Sequence, residues 1–228
     1  MITYSRLGEN GRFGNQLWQI ASTIGIAVLH DSSWSFPDWP YRELFEMPEE
    51  WFTGQGGIEA DSLAERLPGT ARPYLQASYY VQAAEEIIRP AFQLKPIPEM
   101  DDIAELAVAQ KATAVHVRRG DYAEEWRGHG MLELDWYLQH WPEGRTLIFS
   151  DDPDWCEENL PGRVARFSET DDFYLMSKCG RHLISNSSFA WWAAWISDGP
   201  VTYPDPWFTT AAVGRMHWPG WTKASRAH

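Results

Sequence analysis

Residues 113–122 read TAVHVRRGDY, a short β-branched run that ends in two arginines, a glycine and an aspartate. Two similar stretches follow along the chain, TLIFSDDP at 146–153 and HLISNSSF at 182–189. Each joins a run typical of a buried strand to a polar cluster, and helix-like sequence separates the runs. This alternation predicts a parallel sheet with helical crossovers. Because ligands bind beyond the carboxyl ends of such strands, we expect the three polar clusters to lie at one site.

The N-terminal end shows a related pattern. Residues 1–7 are interpreted as a strand, 8–14 as a Gly-rich loop and 15–30 as a helix with one apolar face. Glycines let backbone N–H groups approach an anion, and a helix start adds positive potential there. An ordinary turn capped by Asn15 explains the loop equally well. The candidate ligand contacts in this loop are Arg12, Gly14 and Asn15.

The chain is expected to divide into two lobes. Its 228 residues suffice for one large α/β domain or two small lobes. We place the boundary near residue 112, which gives an N-terminal lobe over 1–112 and a Rossmann-like lobe over 113–228. Residues 31–70 are rich in Trp, Pro and Gly, show no clear periodicity and stay unassigned.

Composition excludes several classes of function. The net charge is −13, whereas nucleic acids and anionic membrane surfaces require a basic footprint. Most of the 14 Trp are expected in the core, and the two cysteines are expected to be reduced and buried. The N-terminus lacks signal-peptide features, and no stretch reaches about 18 apolar residues, so a cytoplasmic location is predicted.

The cluster after the first strand has the chemistry of a diphosphate site. Period-2 alternation puts His116 and Arg118 on one face, with Arg119 opposite unless the strand has already ended. Arginine forks match phosphate oxygens. Asp121 could orient an arginine or accept a proton, and a surface turn with an Arg–Asp ion pair is the structural alternative.

The other two clusters each allow a structural and a functional interpretation. Asp151 and Asp152 precede Pro153, which suits a helix cap, and a carboxylate also suits the donor edge of guanine. Ser187 and Ser188 open a helix and suit either capping or phosphate binding. Asp152 and Asp154 also form a D-x-D, the pattern that many sugar-nucleotide enzymes use to hold a divalent metal.

Taken together, these patches resemble the α-1,2-fucosyltransferase family. The matching stretches are GRFGNQLWQIA (11–21), HVRRGDY (116–122), LDWY (134–137), LIFSDDPDWCEENL (147–160) and DDFYLMSKCGRHLISNSSFAWWAAW (171–195). The resemblance implies a GT-B-like fold with a reduced N-terminal lobe on the acceptor side. It also implies inverting transfer of L-fucose from GDP-β-L-fucose, α-1,2 to galactose, with no metal and no other cofactor.

The resemblance also implies roles for individual residues. Arg118 and Arg119 would grip the donor diphosphate, and Asp121 is the first candidate for a general base, with Asn15 also in the catalytic set. His116, Asp151 and Asp152 would lie near the guanosine and Ser187 and Ser188 near phosphate, while Arg12, Gly14 and Asn15 would line the sugar–phosphate junction.

Other interpretations remain open on the sequence alone. One is a metal-dependent transferase that uses the D-x-D, and another is a transferase of a different GDP-6-deoxysugar. A third is a catalytically degenerate carbohydrate-binding protein, against which the arginine pair argues, since a neutral glycan needs no forked cations. The partners expected are a GDP-sugar donor and a glycan acceptor, with peripheral association with membrane-linked glycans as a further prediction.

Overall fold

The structure, a computed structural model, describes residues 1–64, 74–120, 130–208 and 216–226. The chain forms two compact units, Met1–Lys95 with Ala211–Trp218 and Pro96–Thr210 with Pro219–His228. The division therefore lies at Lys95 and Pro96 rather than near residue 112. The helix Pro98–Ala109 therefore belongs to the second unit, although a boundary near residue 112 would put it in the N-terminal lobe.

The first unit has a small parallel sheet. Its strands β1 (Ile2–Thr3), β2 (Trp34–Ser35) and β3 (Ile58–Glu59) lie in the order β2-β1-β3. Strands of two residues carry no periodic signal, which explains why residues 31–70 could not be assigned from sequence. The described helices of this unit are α1 (Phe13–Leu29), α2 (Ala60–Leu63), α3 (Ser78–Ala83) and α4 (Glu85–Ala91), with 3₁₀ turns at Arg42–Leu44 and Glu49–Trp51.

Helix α1 is the centre of the first unit. It begins at Phe13 rather than Asn15, because Arg12 is the extended N-cap residue with φ −90° and ψ 178°. Trp18, Ile20 and Ile24 on α1 have no exposed surface. The Trp- and Pro-rich segment packs on the same core: the rings of Phe13 and Trp39 stack with centroids 6.1 Å apart.

The second unit is a doubly wound sheet. Its strands are β4 (Thr113–Val117), β5 (Thr146–Ser150), β6 (Arg163–Val164), β7 (Arg181–Leu183), β8 (Val201–Asp205) and β9 (Thr222–Ser225). All pairings are parallel and the order is β6-β5-β4-β7-β8-β9, so the chain reverses direction across the sheet between β4 and β7. This is the Rossmann strand order, and its switch point is where ligands bind.

The helices of this unit are α5 (Pro98–Ala109), α6 (Leu134–Gln139), α7 (Pro153–Asn159), α8 (Glu169–Lys178) and α9 (Ser188–Ser197). Pro98 opens α5 at its first position, where a proline gives up no helical hydrogen bond. The predicted α/β class and the Rossmann-type parallel sheet in the C-terminal half are confirmed.

The aromatic residues and cysteines behave as the composition predicts. Trp191, Trp192 and Trp195 on α9 are buried, as are most of the Trp in the described ranges. Cys156 and Cys179 are buried and free. Within those ranges no helix is both long and apolar enough to cross a bilayer.

Candidate functional site

His116 ties the two strands of the switch point together. It lies on β4 with 6% of its surface exposed, and its Nδ1 is 2.8 Å from the Oγ of Ser185, directly beyond β7. Burial, reinforced by the nearby charge of Arg118, lowers the pKa of His116 to about 3. The imidazole is therefore neutral near pH 7, so it contributes hydrogen bonding and packing rather than a positive charge at this edge.

Arg118 is held at the same edge by the end of β5. Its Nη1 lies 2.8 Å from Asp151 Oδ2, and its side chain is 15% exposed. The other oxygen of Asp151 accepts the backbone N–H of Arg119 at 2.9 Å. One carboxylate thus fixes both the guanidinium and the loop that follows β4.

Arg119 is clamped by a second carboxylate and an aromatic ring. Its Nε donates to Asp152 Oδ2 at 3.2 Å, and its guanidinium carbon lies 3.8 Å from the ring centroid of Trp155. The strand ends at Val117, so the alternation that would put the two arginines on opposite faces no longer applies. Arg118 and Arg119 both turn toward the end of β5.

The capping interpretation of Asp152 is confirmed. Its Oδ1 accepts the N–H of Trp155 at 3.3 Å as the N-cap of α7, with Pro153 at the first helical position. Both Asp151 and Asp152 therefore have arginine and backbone partners. A contact between either residue and a nucleobase stays a prediction.

The start of α9 completes the edge. Ser187 is its N-cap residue, but its hydroxyl makes no capping bond, and its own N–H donates to Ser185 O at 2.8 Å. Asn186 Nδ2 donates to Gly130 O at 3.1 Å. The N-terminal end of a ten-residue helix adds a positive potential beside Ser187 and Ser188, which suits a phosphate group.

The Gly-rich loop lies in the first unit. Arg12 is the exposed N-cap residue of α1, and its side chain makes no capping bond to the helix. The first turn of α1, which includes Gly14, carries no acidic residue. Asn15 is not the cap that the sequence alternative proposed, since its Oδ1 accepts from Gln76 Nε2 at 2.8 Å. An anion beside the first turn of α1 would therefore meet no acidic side chain of that turn.

Three residues that make structural contacts in these sites were not named as site residues from sequence. Ser185 and Trp155 lie inside the recognised motifs, and their position beside polar clusters was the only signal. Gln76 lies outside the stretches that resemble the family, so nothing in the sequence indicated it. The candidate base Asp121 lies outside the described residues.

The D-x-D residues do not converge. Asp152 pairs with Arg119, whereas Asp154 Oδ1 lies 2.6 Å from Arg166 Nη2 on the exposed side of α7. Across the described ranges, no three His, Cys, Asp or Glu side chains group in a way that could hold a metal ion.

The chain is similar in sequence to known glycosyltransferases. The model of glycosyl transferase family 11 matches residues 100–212. The O-antigen biosynthesis glycosyltransferase WbnK of Escherichia coli is 28% identical over 180 residues, covering 65% of this chain and 58% of WbnK. The alpha-1,2-colitosyltransferase of Escherichia coli is 27% identical over 204 residues, covering 76% of this chain and 69% of that protein.

Two further matches extend over most of the chain. The galactoside alpha-(1,2)-fucosyltransferase 2 of Oryctolagus cuniculus is 26% identical over 244 residues, covering 88% of this chain and 63% of that protein. A crystal structure of POFUT1 in complex with GDP covers 100% of this chain and 98% of its own, with a TM-score of 0.49 and 10% identity. The chain spans less than two thirds of the length of WbnK and of the rabbit protein. The family-model match and the named relatives confirm the resemblance to the α-1,2-fucosyltransferase family that the sequence motifs indicated.

Proposed function

We propose that the chain is an inverting glycosyltransferase that moves L-fucose from GDP-β-L-fucose to a hydroxyl of a glycan, forming an α-1,2 linkage to galactose. The observation that carries the proposal is the cluster at the switch point of the Rossmann sheet. Arg118 is braced by Asp151 there, next to His116, Ser185 and the start of α9. Relatives named as α-1,2-fucosyl- and colitosyltransferases support the donor class and the linkage.

The chemistry follows from where charge develops. The C1–O bond to the β-phosphate breaks as the acceptor oxygen attacks C1 from the opposite face, so the leaving GDP gains negative charge. Fixed donors aimed at that charge lower the barrier most effectively. Arg118 is held within hydrogen-bond distance of Asp151 and needs little reorganisation to serve as such a donor.

The acceptor hydroxyl loses its proton when its oxygen attacks, so another group must accept that proton. Asp121 is the proposed base, and transfer to the leaving phosphate is the alternative. His116 is unsuited because burial lowers its pKa to about 3, which leaves the neutral imidazole a weak base.

We propose that transfer needs no metal. The support is the pairing of Asp152 and Asp154 with two different arginines, since each carboxylate already has a cationic partner. We also propose a cytoplasmic location and peripheral association with membrane-linked glycans, and both stay predictions.

The test measures GDP release from GDP-fucose with and without a β-galactoside such as lactose, and identifies the product linkage by NMR. The proposal expects acceptor-dependent release and an α-1,2 linkage. Release that does not depend on any galactoside, or a different linkage, would contradict it.

The donor has one specific alternative, because one relative is named as a colitosyltransferase. Competition between GDP-fucose and GDP-colitose at equal concentration separates the two. The donor with the higher kcat/KM is the substrate, and preference for GDP-colitose would replace fucose in the proposal.

A further inference from the structure

Gln76 and Asn15 form a partly buried contact next to the Gly-rich loop. Gln76 Nε2 donates to Asn15 Oδ1 at 2.8 Å, and Gln76 is 5% exposed. Asn15 is partly exposed. Because the oxygen of Asn15 accepts this bond, its NH₂ group is directed away from Gln76.

The NH₂ group of Asn15 lies over the loop backbone. A Cβ added at Gly11 would come within 2.7 Å of Asn15 Nδ2 and 2.9 Å of Tyr74 Cε1. Gly11 also has φ +74°, which favours glycine. Gln16 Nε2 donates to Gly11 O at 3.0 Å, which fixes the loop from the helix side. The amide therefore occupies space that exists only because residue 11 has no side chain.

The residue before Gln76 has an unfavourable backbone conformation. Leu75, fully buried, has φ 54°, in the left-handed region that bulky residues avoid. Its carbonyl accepts the Ser22 Oγ–H at 2.7 Å, which ties it to α1. Such conformations persist only where the surroundings enforce them, and they cluster at functional sites.

We propose that Gln76 is a positioning residue that orients the Asn15 carboxamide, so that its NH₂ group donates a hydrogen bond to an oxygen of the sugar nucleotide. The proposal rests on the proposed function. It names Asn15 as a donor, not an acceptor, and makes its orientation depend on a residue outside the family motifs.

The test is an isosteric substitution. In the Gln76→Glu variant the carboxylate can only accept, so Asn15 must turn its NH₂ group toward residue 76 and present oxygen to the loop. We expect kcat/KM for GDP-fucose to fall about tenfold or more. Asn15→Asp, which keeps the bond from Gln76 and removes the donor, should lose a similar factor. Gln93→Glu, an exposed site in the same unit, is the matched control and should stay within twofold.

A double-mutant cycle separates positioning from stability. If Gln76 acts through Asn15, Gln76→Glu should change kcat/KM little in an Asn15→Ala background, whereas a folding defect would lower activity in both backgrounds. Gln76→Met, which leaves Asn15 unoriented, serves if the glutamate variant does not fold. An active wild type with Gln76→Glu or Gln76→Met within twofold overturns the positioning role alone. A wild type without acceptor-dependent GDP release overturns the proposed function and this inference together.

Discussion

Arg118 Nη1 lies 2.8 Å from Asp151 Oδ2, while Asp151 Oδ1 accepts the backbone N–H of Arg119 at 2.9 Å. One aspartate at the end of β5 therefore fixes the side chain of one arginine and the main chain of the next. Arg119 is clamped separately by Asp152 and Trp155. The two arginines are thus held by two different carboxylates, and contact of either arginine with the donor diphosphate stays a prediction.

Trp155→Leu should loosen this loop. The Arg119–Trp155 contact is of a kind that contributes about 0.5–2 kcal/mol, so we expect the Kd for GDP to rise roughly 2- to 30-fold, measured by calorimetry. Trp155→Phe retains an aromatic face, so its Kd for GDP should lie between those of the wild type and Trp155→Leu.

The matched control for this variant is Trp141→Leu. Trp141 packs against the same hydrophobic cluster as Trp155, and no contact between it and an arginine is observed in the described ranges. It should reduce thermal stability to a similar extent and leave GDP affinity unchanged. Equal losses of GDP affinity in both variants would show that packing, not the arginine clamp, is responsible.

Acidification should destabilise the protein through two buried histidines. Burial lowers the pKa of His116 to about 3 and that of His182 to about 4, whereas the unfolded chain takes up these protons near pH 6.5. The unfolded state thus binds more protons between pH 6.5 and 4. The free energy of unfolding should fall with decreasing pH, by at most about 1.4 kcal/mol per pH unit for each histidine.

Asp172 opposes part of this effect, because burial raises its pKa to about 7 and the folded state keeps its proton. Urea denaturation between pH 5 and 6.5 should still show a net loss in acid. His116→Gln should flatten that slope and Asp172→Asn should steepen it. A wild-type free energy of unfolding that rises on acidification would contradict the assignment.

Gly25→Ala should destabilise the first unit. A Cβ at Gly25 would overlap the carbonyl oxygen of Tyr80, where α1 and α3 pack closely. Overpacking of this kind costs about 1–3 kcal/mol, against a gain of about 1 kcal/mol from helix propensity. We expect a net loss of up to about 2 kcal/mol in urea denaturation. Gly56→Ala, with open space around its Cβ, should change stability by less than about 1 kcal/mol.

Asp154→Asn should leave transfer intact. Asp154 is 83% exposed and pairs with Arg166 on the surface, so its loss costs little stability. We expect kcat/KM within twofold of wild type, and the same value in excess chelator. Loss of activity in both experiments would favour the metal-dependent D-x-D transferase instead.

The second unit could be predicted from sequence because its strands are long enough to carry a signal. Residues 113–117 and 146–150 are strands as predicted, and the helix after the second begins at Pro153 as its cap indicates. Their parallel order then brings the polar clusters after β4, β5 and β7 to one edge.

The rest depends on contacts that local sequence does not encode. The first unit is built from two-residue strands and 3₁₀ turns, which have no periodicity. The Asn15–Gln76 bond joins residues 61 positions apart, and the Arg119–Asp152 bond joins residues 33 apart. Motif reasoning named three of these four residues and could not tell which contacts they make.

Calorimetric titration of GDP into wild type and Arg118→Ala, with and without chelator, tests the central claim most directly. The account predicts saturable binding by the wild type that chelator does not change and that Arg118→Ala weakens at least about tenfold, or about 1.4 kcal/mol. A wild type that does not bind GDP, or an Arg118→Ala variant that binds it as tightly, would contradict the account.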